Sequence, residues 1–232
     1  WPDGGLPTKR NDFEKFVKLF SKNRKLLVHC SAGVGRTGVF AACVEALLEG
    51  RGANPQKIVD SMRAARSHMV QTPDQFDLIC KFVLRNCYEK AVAWNDDLTA
   101  DQLKIMGITD DDKVVTIFKN IPMKDRTSKI VQERDRYENI GSVGKQRSKR
   151  EMDAAGGEYL TKGGEAVNAS KVVKKQIGES KLSILATNAP SPDNFKSFLN
   201  LICTSQKVDG IVVLGKADGK KIMDYWAPND KD

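Results

Sequence analysis

The chain has 232 residues, 40% hydrophobic and 29% charged, enough for one large domain or two small ones with a real core. A formal charge of +8 favours acidic partners such as phosphorylated peptides, anionic lipid or nucleic acid, without choosing among them. No apolar run is long enough to span a bilayer, and five cysteines without a C-x-x-C pair argue against a disulfide framework or a zinc site.

In chain order, Trp1-Pro2-Asp3-Gly4 reads locally as an Asp-Gly turn. Residues 11–23 carry Phe13, Phe16, Val17 and Phe20 on one helical stripe. Lys25–His29 is a short apolar run, expected as a buried strand. Gly38–Leu48 is apolar on nearly every side and predicts a central helix, closed by Gly50 and Gly52. Asn54-Pro55 starts the next helix, with Ile58, Val59, Met62 and Ala65 as its buried face. Thr72-Pro73-Asp74-Gln75 reads as a capping box opening a long helix to about Lys90, through Phe76, Ile79, Cys80 and Val83.

Asn95–Asp112 is acidic and loop-rich, with a short helix at Ala100–Met106, and reads as a junction. Residues 113–134 are partly helical and break at Ile121-Pro122; residues 141–166 are loops or hairpins. Lys171–Val173 and Lys181–Thr187 read as strands, Pro192–Cys203 as an amphipathic helix through Phe195, Phe198 and Leu199, and Gly210–Leu214 as a buried strand. Cys43 and Cys80 sit in apolar helical runs and are expected to pack as small hydrophobes. Reduced thiols in a cytoplasmic compartment are the expectation. His68 reads as an ordinary surface histidine, and the basic clusters Lys145–Arg150 and Lys171–Lys175 as solvated faces that would steer acidic peptides if they ring a pocket.

The stretch from Lys25 to Gly50 carries the chemistry. Gly33, Gly35 and Gly38 fit G-x-G-x-x-G between a strand and a helix, but a dinucleotide site also needs an acid ending a second strand about 20 residues on. The candidate, Asp60, lies in a strongly helical pattern, so that reading fails. The alternative centres on Cys30. Ser31-Ala32-Gly33-Val34-Gly35 are small enough for the backbone to curl into a nest of inward N–H groups. A helix starting near Arg36 aims its positive end at the same point. Such fields favour a thiolate, and an anion bound there would meet the Arg36 fork.

His29-Cys30-Ser31-Ala32-Gly33-Val34-Gly35-Arg36-Thr37-Gly38 resembles the H-C-x5-R signature loop of the cysteine-dependent protein tyrosine phosphatases. Trp1-Pro2-Asp3 resembles that family's mobile acid loop, and Gln71-Thr72-Pro73-Asp74-Gln75 its glutamine loop. More weakly, Arg136-Tyr137 with Asn139 resembles the phosphotyrosine-recognition segment. Val167-Asn168-Ala169-Ser170 resembles its N-A-S stretch, Leu185–Pro190 its T-Q-G-P stretch and Tyr225-Trp226 its Y-W-P. The family carries this second set before the acid loop, whereas here it follows, and the segment between Y-W-P and the acid loop is missing. Three accounts fit: a circular permutation, which is favoured, a fragment spanning two tandem domains, or a chain lacking a segment.

The resemblance implies an α/β fold with a twisted mixed central sheet flanked by helices. It implies one phosphatase domain over residues 1–232: acid, signature and glutamine loops in 1–92, a junction at 93–112 and the recognition half in 113–232. It implies hydrolysis of phosphotyrosine in proteins or peptides through a cysteinyl-phosphate, with no metal or cofactor and no nucleic-acid partner. Cys30 would be the nucleophile and Arg36 the phosphoryl clamp, within the cradle of Ser31, Ala32, Gly33, Val34 and Gly35. Asp3, beside Trp1, would be the general acid and then base. Thr37 would hydrogen-bond the departing thiolate, and Gln71 and Gln75 would orient water, although Gln75 also reads as a capping residue. His29 would order the loop. Tyr137, with Asn139, would stack on the phosphotyrosine ring, or Tyr137 is a partly buried core residue. Gly4 departs from the aromatic residue that the family often has after its acid. Rival readings are an RNA 5′-triphosphatase, a phosphoinositide phosphatase, disfavoured by Ser31 and Val34 where lysines would sit, and a catalytically impaired phosphopeptide-binding module.

Overall fold

A run of branched apolar residues from Lys25 to His29 forms the middle of a sheet, because it can be covered on both faces. In the computed structural model, residues 1–20, 25–109, 113–123, 159–160, 166–177, 180–192 and 194–215 are described, and the statements below concern these. The sheet has the order β4-β5-β1-β6, formed by β1 (Lys25–His29), β4 (Ala169–Ile177), β5 (Ser180–Thr187) and β6 (Gly210–Val213). β1 runs parallel to both neighbours, with Val28 opposite Ala186 and Val212, while β4 pairs antiparallel with β5. β2 (Tyr159–Leu160) and β3 (Ala166–Val167) form a separate antiparallel pair.

Alternation along β1 divides the core. Leu26 and Val28 face the larger layer, which is built from α1 (Arg10–Leu19), α2 (Gly35–Glu49), α3 (Pro55–Ala65), α4 (Pro73–Cys87), α5 (Ala100–Ile105) and α6 (Val114–Asn120). Leu27 faces the other way, with its β5 neighbour Leu185, onto Phe198, Leu201 and Ile202 of the layer around α7 (Phe195–Asn200). The protein is therefore mixed α/β, a four-stranded mixed sheet flanked by helices. No described helix is long and apolar enough to cross a membrane.

Local chemistry sets the helix ends. α2 is buried from Gly35 to Ala46 and stops at Gly50, whose φ of 60° suits glycine. Asn54 caps α3 by accepting the Lys57 N–H at 3.0 Å, ahead of proline at the first helical position. Thr72 caps α4 in the same way through the Gln75 N–H. The reciprocal half of the expected capping box is absent there, since the Gln75 side-chain oxygen accepts instead from the Gln71 N–H at 2.9 Å. A complete box occurs at α5, between Thr99 and Gln102.

Two strand and helix expectations change. Gly210–Val213 lies at one edge of the sheet among the described residues, and Ile211 is 37% exposed, so this is not a fully buried strand. In the last helix Leu199 faces solvent. The buried stripe runs instead through Phe198, Leu201 and Ile202 at ordinary helical spacing, ahead of a π-type turn over Leu201–Ser205. Cys43 and Cys80 are fully buried, and burial pushes both thiols well up. Tyr225 and Trp226 lie outside the described residues, as does the Lys145–Arg150 cluster.

The basic run on β4 is not simply a solvated face. Lys175 reaches back to α2, with Nζ 2.6 Å from Glu49 and 3.3 Å from Glu45. Glu45 is buried, its Oε2 has no partner among the described residues, and burial outweighs Lys175 to push its carboxyl up to about 7. The native state thus holds a proton there that the unfolded chain, near 4.5, releases. Native stability from this group falls as pH rises from about 4.5 through 7. Glu45→Gln should match the wild type in urea unfolding near pH 5 and exceed it by about 1–3 kcal/mol near pH 8. An equal difference at both pH values would contradict the assignment.

Candidate active site

The loop after β1 is shaped by where its carbonyls go. The His29 carbonyl accepts from the Leu214 N–H at 2.8 Å, and the Ser31 carbonyl from the Ala189 N–H at 2.9 Å. The Cys30 carbonyl lies 3.0 Å from His29 Nδ1; a carbonyl can only accept, so that nitrogen carries the proton. Arg66 donates to the Ala32 and Gly33 carbonyls at 3.3 and 3.1 Å. The Val34 carbonyl takes both the Gly38 and the Val70 N–H. With the carbonyls held behind the loop, its amides are left to the opposite side, and the Gly33 N–H donates to Cys30 Sγ at 3.3 Å.

Two glycines make this path possible. Gly33 has φ 73°, and a Cβ there would lie 2.0 Å from the Thr187 carbonyl oxygen at the end of β5. Gly38 brings the first turn of α2 against Val70, where a Cβ would meet the Val70 nitrogen at 2.6 Å. Burial lowers His29 to about 4, so its ring is neutral at physiological pH, ordering the loop rather than carrying charge. Its edge also faces Phe198.

Three separate segments meet at this loop. From the first, Trp1-Pro2-Asp3, the Trp1 carbonyl accepts from Arg36 Nη1 at 3.0 Å, and Asp3 Oδ1 lies 2.9 Å from Arg36 Nη2. The Trp1 indole N–H closes the turn on the Gly5 carbonyl at 2.8 Å, and its ring packs edge-on against Phe13 of α1. From the glutamine segment, Gln71 Oε1 sits over the signature loop, since a Cβ on Gly35 would lie 2.3 Å from it. Gln75, fully buried, accepts from the Gln71 N–H and donates to the Gly5 carbonyl at 3.4 Å, rather than capping α4 with its side chain. Ser31, Ala32, Val34 and Thr37 are buried in the loop and the first turn of α2. Tyr137 and Asn139 lie outside the described residues, and so does Arg136.

Two buried polar atoms here have no partner among the described residues: Arg36 Nε and Thr37 Oγ1. Arg36 is 5% exposed and Thr37 fully buried, so each is desolvated without compensation. Both belong to residues at the start of α2. A cradle of amides, a guanidinium with an unmet N–H and a buried hydroxyl in the first turn of α2 can receive a tetrahedral oxyanion.

The supports of this loop are not visible in the motif. Arg66, fully buried, binds the Asn168 and Asn188 side chains as well as the two loop carbonyls, and so ties both N-A-S-like and T-Q-G-P-like stretches to the loop. Arg63 is buried nearby and donates to the Met69 and Val70 carbonyls. Arg63 on the buried side of α3, three residues before the C-cap residue Arg66, was the available signal, since an arginine in an apolar stripe needs a polar purpose. His68 is half-buried rather than a surface residue, and burial lowers its pKa. It shares with Val70 a left-handed backbone, φ 62° and 61°, which costs about 1–3 kcal/mol at a branched residue.

Fold and site together define a cysteine-centred oxyanion cradle at the C-terminal end of a central parallel strand. Residues 1–85 match the family model described as protein-tyrosine phosphatase. Human tyrosine-protein phosphatase non-receptor type 4 is 41% identical over 93 residues, 37% of this chain and 10% of its own length. Human tyrosine-protein phosphatase non-receptor type 20 is 41% identical over 91 residues, 36% of this chain and 21% of its own. Tyrosine-protein phosphatase 2 of Dictyostelium discoideum is 33% identical over 123 residues, 47% of this chain and 30% of its own. The chain thus spans about a tenth to a third of the length of these curated relatives. No solved structure matches it. The family-model match spans residues 1–85, which hold all three converging segments.

Gly33→Ala should lower stability by at least about 2 kcal/mol, because it adds both a left-handed alanine and a clash with the sheet backbone. Gly4→Ala, at φ 69° with nothing within 4 Å, should cost only about 1 kcal/mol. Urea denaturation of the pair checks this, and equal losses would refute the close approach.

Proposed function

We propose that this chain is a protein tyrosine phosphatase that hydrolyses phosphotyrosine through a cysteinyl-phosphate. The observation that carries the reading is that Asp3 and the Gln71–Gln75 segment both meet the Cys30 loop and the first turn of α2, Asp3 through Arg36 and Gln71 over Gly35.

In the first step the Cys30 thiolate attacks phosphorus in line, and the bond to the tyrosyl oxygen breaks. Asp3 gives its proton to the departing phenolate. The inward amides and Arg36 carry the charge on the equatorial oxygens. Nε of Arg36 is available for this, while Nη2 must exchange Asp3 for a phosphoryl oxygen as substrate enters. In the second step water attacks the phosphocysteine, the Asp3 carboxylate takes the water proton, and sulfur leaves. Thr37 Oγ1, buried and unpaired among the described residues, is a donor for the returning thiolate. Gln71, over Gly35, and Gln75 orient the water.

The inverted order is read as a circular permutation within one domain, 1–92, 93–112 and 113–232. In support, β5 lies directly beside β1 although more than 150 residues separate them, and Arg66 joins the early loop to Asn168 and Asn188. Phosphotyrosine proteins or peptides are the substrate class, in keeping with the +8 charge.

Cys30→Ser should lower kcat on a phosphotyrosine peptide about 10⁴-fold or more. Asp3→Asn should lower it by about 10²–10⁴-fold, with a smaller loss on nitrophenyl phosphate, whose leaving group needs less protonation. Steady-state assays check both. Turnover surviving Cys30→Ser, or a preference for triphosphorylated RNA or a phosphoinositide over the peptide, would overturn the reading.

A further inference from the structure

The segment between α3 and α4 carries two strained residues just ahead of Gln71, His68 at φ 62° and Val70 at φ 61°. A branched side chain does not hold such a backbone by itself; something outside must fix it. Arg63 does so with its whole guanidinium. Nε donates to the Met69 carbonyl at 3.1 Å and Nη2 to the Val70 carbonyl at 3.1 Å, gripping the two peptide groups that flank Val70. Nη1 donates to the Ile121 carbonyl at 2.7 Å, just past α6, and the guanidinium lies 4.7 Å from the centre of the Phe118 ring. Arg63 is 1% exposed. Its planar fork fixes direction as well as distance, which a lysine does not.

The grip bears on the site through one residue. The Val70 carbonyl belongs to the peptide that begins Gln71, and the Val70 N–H is itself fixed on the Val34 carbonyl of the signature loop. Gln71 Oε1 is thereby held over Gly35.

We propose that Arg63 is a positioning residue for the second chemical step, holding Val70 left-handed so that the Gln71 amide stays over the cradle and aims the hydrolytic water. It touches neither substrate nor sulfur, and it rests on the hydrolase reading above. Cys30 attack uses the amides and Arg36, which Arg63 does not contact directly, and the Val34 carbonyl keeps its second donor in the Gly38 N–H, so loss of Arg63 should weigh on the second step more than on the first.

Rapid-quench kinetics with nitrophenyl phosphate test this, using Arg63→Met and, should that variant not fold, Arg63→Lys. First-turnover release of nitrophenolate should stay within about threefold of wild type, while the steady-state rate falls by about ten- to a hundredfold. Phosphorylated Cys30 should accumulate as a burst. Adding Gln71→Ala to Arg63→Lys should cost little beyond Gln71→Ala alone, because both act at one point. Equal loss in both steps, no loss in either, or multiplying effects would overturn the inference while leaving the hydrolase reading intact. Absence of Cys30-dependent turnover in the wild-type chain would overturn both.

Discussion

The site depends on six consecutive backbone carbonyls, from His29 to Val34, being satisfied away from the cleft. β6, the end of β5, the His29 ring, Arg66, Val70 and the first turn of α2 each take a share. A peptide group cannot turn its oxygen one way without turning its N–H roughly the other. A loop so bound therefore offers donors to whatever lies over Cys30, at no cost of reorganisation when charge develops there. Arg66 is the centre of this arrangement, because one buried cation holds two loop carbonyls and two asparagines from distant sequence. Four neutral acceptors thus offset part of the desolvation of this buried cation.

The cleft is also prearranged on its open side. Arg36 bonds the Trp1 carbonyl and Asp3, so the acid segment already lies over the cradle, and Trp1 fixes that segment onto α1 through Phe13. Asp3 is 43% exposed at its side chain, so this contact is an adjustable one. Below it, Gln75 links the acid segment to the start of α4. Three segments that are local in sequence thus become one constellation through a few hydrogen bonds each. The sheet supplies the rigid frame behind them.

How much of this could be read beforehand follows the physics of each feature. β1, α2 and the caps at Asn54 and Thr72 were legible, because a buried strand, an all-apolar helix and a capping residue are decided within a few neighbours. The motif spacing named Cys30 and Arg36, and the resemblance named Asp3 and Gln71. The roles of Arg63 and Arg66 were not legible, because their partners are carbonyls and asparagines up to 122 residues away. Leu199 and Ile211 misled for a similar reason. The stripe through Phe198 continues at Leu201 and Ile202 and leaves Leu199 outside it, and an edge position exposes Ile211, which adjacent apolar letters do not decide. Val70 held left-handed also defies propensity, and only the Arg63 grip and the closeness of Gly38 account for it.

The account stands on inward amides ready for an anion. Titrating the protein with inorganic phosphate while following ¹H–¹⁵N resonances tests this directly. The amides of Gly33, Val34 and Gly35, together with the Nε–H of Arg36, should move downfield along one saturating curve. Shifts confined to surface lysines, or a loop that does not respond while phosphate binds elsewhere, would contradict it.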